Sequence, residues 1–113
     1  MKYSIEKITT LIGARRIGNT DATIGWILTD SRSLCFPEET LFFAIRTQRN
    51  DGHNYIPELY RRGVRNFVVE PLPDTNAYAD ANFLKVVGTL EALQRLAERH
   101  RDEFDIPVVG ITG

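Results

Sequence analysis

Runs of apolar residues alternate with polar segments along the chain, and their lengths and spacings predict strands and helices in turn. Residues 24–28, 41–45, 66–70 and 83–87 are runs of strand length, rich in β-branched, aromatic and other apolar side chains. The run 41–45 is apolar throughout, as expected of a strand that is buried on both faces. The first twelve residues and the last third of the chain instead contain apolar residues at helical spacing.

Local signals mark where the predicted helices begin and end. Ser4 can cap the first helix, and Gly13 can end it. A middle helix is predicted from Asn54, its possible cap, to Gly63. Residues 14–23 predict either a loop or a short edge strand. Because strands alternate with helices after residue 40, we predict a single α/β domain of two or three layers, with a mixed, partly parallel sheet flanked by helices.

Composition and charge indicate which classes of fold and binding partner are expected for this chain. The chain has 113 residues, of which 42% are hydrophobic and 26% are charged, as in an ordinary soluble domain with a modest core. A net charge of −1 gives no basic field, so neither nucleic acid nor a membrane surface is an expected partner. The single cysteine, Cys35, cannot form an internal disulfide, and we predict that it is a semi-buried residue in a turn. Since the amino terminus has no long apolar run, a cytoplasmic location is the simplest expectation.

Two polar segments follow two of the predicted strands. Residues 29–32 read Thr-Asp-Ser-Arg and follow the run 24–28, while residues 46–53 are polar throughout and follow the run 41–45. Hydroxyls and a guanidinium suit an oxygen-rich ligand. Loops after neighbouring strands meet at one edge of a sheet, so the two segments predict the rim of a pocket. The sequence pairs no nucleophile with a base and has no metal-ligand spacing, so no catalytic or metal-binding residue is predicted.

These segments carry motifs that resemble a known family. Asp-Ser-Arg at 30–32, a proline turn, Leu-Phe-Phe-Ala at 41–44 and Asp-Gly-His at 51–53 resemble the N-terminal domain of the Mur ligases, the ATP-dependent amide-forming enzymes of peptidoglycan precursor synthesis. The likeness is greatest to the two late members, and it favours addition of D-alanyl-D-alanine over addition of the third residue. It implies that this domain holds the UDP end of a UDP-N-acetylmuramoyl peptide. The chain has Thr47 where that family usually has Gly.

The resemblance also implies which residues bind the substrate. Five of them match family positions that contact the uridine and diphosphate, namely Thr29, Ser31, Gln48, Arg49 and Asn50. Three further residues of the same two segments complete the predicted UDP-binding set: Arg32, Thr47 and His53.

Two members of this set have alternative roles. Arg32 either neutralises phosphate or pairs with Asp30 or Asp51 to tie the two segments together, and we favour the structural role. His53 and Asn54 stand at the start of the predicted middle helix, where exposed backbone N–H groups attract anions such as a diphosphate. Alternatively, His53 caps that helix or bonds to the segment 29–32.

The carboxyl-terminal residues predict a domain boundary. Residues 106–113 read as an apolar strand that runs into Gly113, without the Lys and Ser/Thr of a phosphate loop. By the resemblance, residues 1–107 form the UDP-binding domain, and residues 108–113 are the first strand and the start of the phosphate loop of a missing ATP-binding central domain. The fragment is therefore predicted to hold no cofactor and to be inactive alone, whereas the full-length enzyme would use ATP and Mg²⁺ and contain central and C-terminal domains as partners. The alternatives are an interaction module for another protein or domain, and the front end of an unrelated phosphate-loop ATPase.

Overall fold

The computed structural model describes residues 3–100 of the chain, with side chains described for residues 3–98. The strands are β1 (Tyr3–Ser4), β2 (Arg15–Ile17), β3 (Thr23–Ile24), β4 (Trp26–Leu28), β5 (Thr40–Phe43), β6 (Asn66–Val69) and β7 (Asn82–Lys85). The α-helices are α1 (Ile5–Leu11), α2 (Ile56–Arg61) and α3 (Thr89–His100). Short 3-10 helices occupy Ser31–Ser33, Pro37–Glu39, Gly52–Tyr55 and Thr75–Tyr78.

Five of the strands form one mixed sheet in the order β2-β7-β6-β5-β4. Strands β4, β5, β6 and β7 are mutually parallel, and β2 pairs antiparallel with β7 at one edge. The remaining strands, β1 and β3, form a separate two-stranded antiparallel sheet. The predicted mixed, partly parallel sheet is therefore confirmed, and of the two possibilities for residues 14–23 the short edge strand is the correct one.

Helices cover both faces of the large sheet, which makes the fold three-layered. On one face α1 and α3 bury their apolar sides against the sheet, with Ile8 and Leu93 fully buried. On the other face the apolar side of α2, including Leu59, packs with Phe42 and Phe67. Every residue of β5 and β6 is buried, which explains why these strands are apolar with little alternation. None of the helices in the described part of the chain is long and apolar enough to cross a membrane.

The capping predictions have mixed outcomes. The side chain of Ser4 accepts a hydrogen bond from the backbone N–H of Lys7 and caps α1, as predicted. Gly63 follows the end of α2 with a φ of +105°, a conformation that glycine adopts without steric cost. The prediction of Asn54 as a cap is wrong, because the side chain of Asp51 caps the preceding 3-10 helix and α2 begins directly from it.

Three other expectations from the sequence need comment. The predicted strand 24–28 is divided at Gly25, so that β3 joins the small sheet and β4 the large one. Cys35 is exposed, not semi-buried, and its thiol lies 3.6 Å from the Ser33 carbonyl oxygen. The predicted strand and domain boundary at 106–113 lie outside the described residues.

Candidate functional site

A cleft of about 540 Å³ opens where the parallel strands β4 and β5 end side by side. This volume lies within the usual range for small-molecule sites, which is about 300–1,000 Å³. Its lining comes from the two polar segments that the sequence singles out, together with one aliphatic and one aromatic residue; the lining residues are Thr29, Asp30, Ser31, Arg32, Ile45, Thr47, Asn50 and Tyr55. The predicted pocket rim at this sheet edge is therefore present.

The segment after β4 is folded by its own carboxylate. The Asp30 side chain accepts a hydrogen bond of 3.0 Å from the backbone N–H of Arg32 and so starts the 3-10 helix Ser31–Ser33. The guanidinium of Arg32 also bonds to this carboxylate, with its Nη2 2.9 Å from Oδ2. The side-chain hydrogen bond from Arg32, followed by the backbone one, holds the pKa of Asp30 below its usual range. Asp30 therefore stays ionised and shapes the loop.

Two hydroxyls in this segment are left available to a ligand. Within the described part of the chain, the side chains of Thr29 and Ser31 make no hydrogen bond to other residues. Both residues are partly buried where they line the cleft. A hydroxyl can donate or accept, so the pair can satisfy either kind of polar atom on a bound molecule.

The segment after β5 forms a tight turn closed by Thr47 and Asn50. The backbone N–H of Thr47 donates to the carbonyl of Asn50 at 2.7 Å, and the Thr47 hydroxyl bonds to the same residue's carbonyl and N–H at 3.1 Å. Gln48 and Arg49 occupy the exposed tip of this turn. No non-glycine residue among 3–100 has a positive φ, so Thr47 fits this turn where the family usually has glycine.

Behind the turn, the chain packs closely against the end of β5. A Cβ added at Gly52 would lie 2.8 Å from the backbone nitrogen of Ile45 and 3.1 Å from the Cα of Ala44. Both contacts are with backbone atoms, which cannot swing aside, so glycine is required here by close approach. Asp51 and Gly52 therefore shape the turn that leads into the helix.

His53 is used inside the protein and does not line the cleft. Its Nε2 accepts a hydrogen bond from the backbone N–H of Glu70 at 3.0 Å, so the ring proton is on Nδ1, which lies 2.6 Å from an Asp51 oxygen. The His53 side chain is 11% exposed. The ring therefore neither lines the cleft nor bonds to the segment 29–32, and the cap of this helix start is the Asp51 side chain, not His53.

The helix start at Gly52 also offers little to an anion. The backbone N–H groups of Gly52, His53 and Asn54 already donate to Ile45, to the Asp51 side chain and to the Asp51 carbonyl. Burial would raise the pKa of Asp51, but the hydrogen bonds from His53 and the charge of Arg46 outweigh it and leave that pKa lowered. A diphosphate at this end would face an ionised carboxylate, so the expected helix-end phosphate site is not formed.

Arg32 pairs with Asp30, one of the two partners expected from the sequence, but this pair does not tie the two segments together. Asp30 lies two residues earlier in the same segment, and the Arg32 side chain is 88% exposed. The contact that anchors the segment is one that sequence reasoning missed, since the guanidinium of Arg62 at the end of α2 donates to the Ser31 carbonyl at 2.9 Å. Arg32 therefore lies at the cleft rim with its charge close to solvent.

The predicted site residues divide into two groups. The cleft brings together five of the eight residues, namely Thr29, Ser31, Arg32, Thr47 and Asn50. The other three, Gln48, Arg49 and His53, do not line it. Tyr55 also lines the cleft, although sequence reasoning did not single it out. A signal was present in its spacing, because Tyr55 follows the turn residues Asp51 and Gly52 closely enough to return to the same sheet edge.

Comparison with known proteins identifies the family. A family model described as "Mur ligase family, catalytic domain" matches residues 23–101. The chain belongs to the Mur ligase family. The resemblance inferred from the motifs at 30–32, 41–44 and 51–53 is thus confirmed.

Relatives of two kinds are similar to this Mur ligase chain. UDP-N-acetylmuramoyl-tripeptide–D-alanyl-D-alanine ligase of Synechocystis sp. is 38% identical over 93 residues, covering 82% of this chain and 20% of that one. UDP-N-acetylmuramoyl-L-alanyl-D-glutamate–2,6-diaminopimelate ligase of Cytophaga hutchinsonii is 32% identical over 98 residues, covering 85% of this chain and 20% of that one. The chain thus spans about a fifth of the length of these relatives.

A solved structure supports the same assignment at the level of the fold. UDP-N-acetylmuramoylalanyl-D-glutamyl-2,6-diaminopimelate–D-alanyl-D-alanyl ligase from Acinetobacter baumannii matches with a TM-score of 0.74 and 25% identity, covering 90% of this chain and 22% of that chain. Residues 3–100 contain no group of three or more His, Cys, Asp or Glu side chains that could hold a metal ion. The polar groups that line the cleft of this Mur ligase domain are hydroxyls, an amide and a guanidinium–carboxylate pair, which can form hydrogen bonds with a polar ligand.

Proposed function

We propose that the cleft binds the UDP end of a UDP-N-acetylmuramoyl peptide and that the chain is the substrate-holding domain of an ATP-dependent, amide-forming ligase. The observation that carries this proposal is the convergence of the free hydroxyls of Thr29 and Ser31 with Asn50 of the other segment in one cleft. Membership of the Mur ligase family supports it, since the relatives are named for ligation of UDP-N-acetylmuramoyl peptides.

The lining groups match the chemistry of a uridine nucleotide. The uracil edge presents carbonyl acceptors and one N–H donor, which amide and hydroxyl groups can pair with. The diphosphate would lie towards Arg32, whose exposed guanidinium can share its donors between Asp30 and a phosphate. Thr47 contributes the shape of the turn, because its hydroxyl is occupied by Asn50.

Binding at this remote end would serve the reaction by positioning. A long substrate that is held at its nucleotide can have its reacting carboxylate oriented elsewhere in the enzyme, so the binding energy is realised as orientation. We propose that ATP and Mg²⁺ act on other domains of the full-length protein. The purified chain should accordingly show no Mg²⁺-dependent release of phosphate from ATP, and turnover that survives repurification would contradict this division of roles.

The test of the cleft is a titration of ¹⁵N-labelled protein with UDP. We expect a dissociation constant on the order of 1 mM, near −4 kcal/mol, because the sugar and peptide contacts are absent. Amide shifts should be concentrated at residues 29–32, 46–51 and 55. Shifts confined to α3, or none at saturating nucleotide, would contradict the proposal.

For the added group, we propose D-alanyl-D-alanine over a third residue. The higher identity to the Synechocystis ligase than to the Cytophaga ligase supports this choice. The full-length protein should join D-alanyl-D-alanine to a UDP-N-acetylmuramoyl tripeptide. Ligation of 2,6-diaminopimelate to the dipeptide precursor would reverse the assignment.

A further inference from the structure

An aromatic side chain forms one wall of the cleft. Tyr55 ends the 3-10 helix Gly52–Tyr55, and its ring is packed partly against the cluster that α2 covers and lines the cleft as well. Ile45 is the neighbouring apolar residue of the lining. The faces of a nucleobase are flat and poorly solvated, so an aromatic wall beside polar groups is a suitable contact surface for one.

The hydroxyl of Tyr55 also fixes the side chain of Asn50. It donates to Asn50 Oδ1 at 3.2 Å, while the Asn50 backbone is held on both its N–H and its carbonyl by Thr47. The position of the Asn50 side-chain amide is thus fixed in two ways, by the hydrogen bonds of its backbone and by the hydrogen bond to its side-chain oxygen. Its Nδ2 makes no hydrogen bond within the described residues, which leaves a donor available at the cleft.

We propose that Tyr55 is the positioning residue for the base: its ring contacts the base, and its hydroxyl orients Asn50 so that Nδ2 donates to the C4 carbonyl of uracil. This inference rests on the proposed function. Cytosine carries an amino group at C4 in place of this carbonyl, so two donors would face each other, and a site built in this way selects against cytosine.

The experiment compares UDP and CDP binding by calorimetry to the whole chain and its variants. Tyr55→Phe keeps the ring and should weaken UDP binding about three- to tenfold, with CDP binding little changed, because one orienting hydrogen bond is lost. Tyr55→Ala should weaken both nucleotides. Asn50→Asp replaces the donor by an acceptor and should shift the UDP-to-CDP ratio towards CDP, a change that general loss of structure would not produce.

Tyr60→Phe is the matched control, since it removes a tyrosine hydroxyl that bonds to Asp80 away from the cleft. It should leave both affinities unchanged. If the wild-type chain binds UDP but Tyr55→Phe and Asn50→Asp keep its UDP-to-CDP ratio, the inference about Tyr55 is wrong while the proposed function stands. If the wild-type chain binds no UDP, the proposed function fails and the inference fails with it.

Discussion

Polar side chains at the two ends of the parallel strands differ in burial and in hydrogen bonding. At the carboxyl ends of β4 and β5, the hydroxyls of Thr29 and Ser31 lie in an open cleft without partners among the described residues. At the amino ends of β6 and β7, the side chains of Asn66 and Asn82 are buried and bonded to each other at 2.9 Å. Polar groups that remain available indicate binding, whereas polar groups that satisfy one another indicate structure.

The buried pair belongs to a larger set of contacts, which we call the amino-end network. Asn82 donates to the Thr20 carbonyl at 2.8 Å and accepts from the guanidinium of Arg16 at 3.3 and 3.4 Å. Arg16 donates to the same Thr20 carbonyl at 2.9 Å. Within the described part of the chain, Asn66 Nδ2 is the buried side-chain atom that lacks a partner. The network joins the edge strand β2 to the centre of the sheet, so its loss should affect folding.

The largest expected effect is on stability at the amino-end network. Asn82→Ala removes the side-chain partner of Asn66 Oδ1 and one of the partners of both the Arg16 guanidinium and the Thr20 carbonyl, and should lower the free energy of unfolding by about 3 kcal/mol. Urea denaturation would measure this. The exposed Asn76→Ala is the matched control and should change stability by less than about 0.5 kcal/mol. UDP affinity of the folded Asn82→Ala protein should be unchanged, and a loss of affinity would break the contrast between the two ends.

A second change should affect both stability and binding. Gly52→Ala puts a Cβ against the backbone of Ile45 and Ala44, so we expect a loss of about 1–3 kcal/mol in unfolding free energy and weaker UDP binding as the turn shifts. Gly88→Ala is the control, because its new Cβ meets only the mobile carboxylate end of Glu91. Equal destabilisation of the two variants would show that the close approach at Gly52 carries no special cost.

The sequence predicts the cleft's position better than its details. Apolar runs at 24–28 and 41–45 place two loops at one sheet edge because strand period and burial are local properties, and the motif residues follow directly. The role of Arg62 depends on how α2 docks, which brings it next to Ser31 from 31 residues away. The ring of His53 likewise accepts a hydrogen bond from the backbone N–H of Glu70, 17 residues further along the chain. Such long-range contacts leave no local pattern in the chain.

A third change should weaken binding and leave folding intact. Ser31→Ala removes a cleft hydroxyl that has no partner in the described residues, so it should cost about 1 kcal/mol of UDP affinity with the urea midpoint unchanged. Ser33→Ala, in the same 3-10 helix but outside the cleft lining, should leave affinity unchanged. A drop in stability for Ser31→Ala would show that this hydroxyl is structural after all.

Low pH should reduce the stability of the fold through protonation of Asp51, whose carboxylate holds the turn before α2. Because its folded-state pKa is lowered, Asp51 contributes stability that is fully present above its unfolded pKa and is lost as the pH falls through the lowered folded value. Asp51→Asn keeps the shape but cannot ionise, so its stability should depend less on pH below about pH 4. Urea denaturation at a series of pH values would show this, and parallel curves for the two proteins would contradict it.

The smallest expected effect on folding is that of Arg32→Ala, although the sequence favoured a structural role for this residue. The structure corrects that expectation, because an exposed pair between Arg32 and Asp30 within one segment is screened by solvent and holds no second element in place. The urea midpoint should therefore not change, whereas Arg62→Ala should lower it by releasing the Ser31 carbonyl. UDP binding to Arg32→Ala should be weaker and less sensitive to salt, since Asp30 would then face the diphosphate without its cation. If Arg32→Ala lowers the urea midpoint and leaves the salt dependence of UDP binding unaltered, the role of Arg32 is structural.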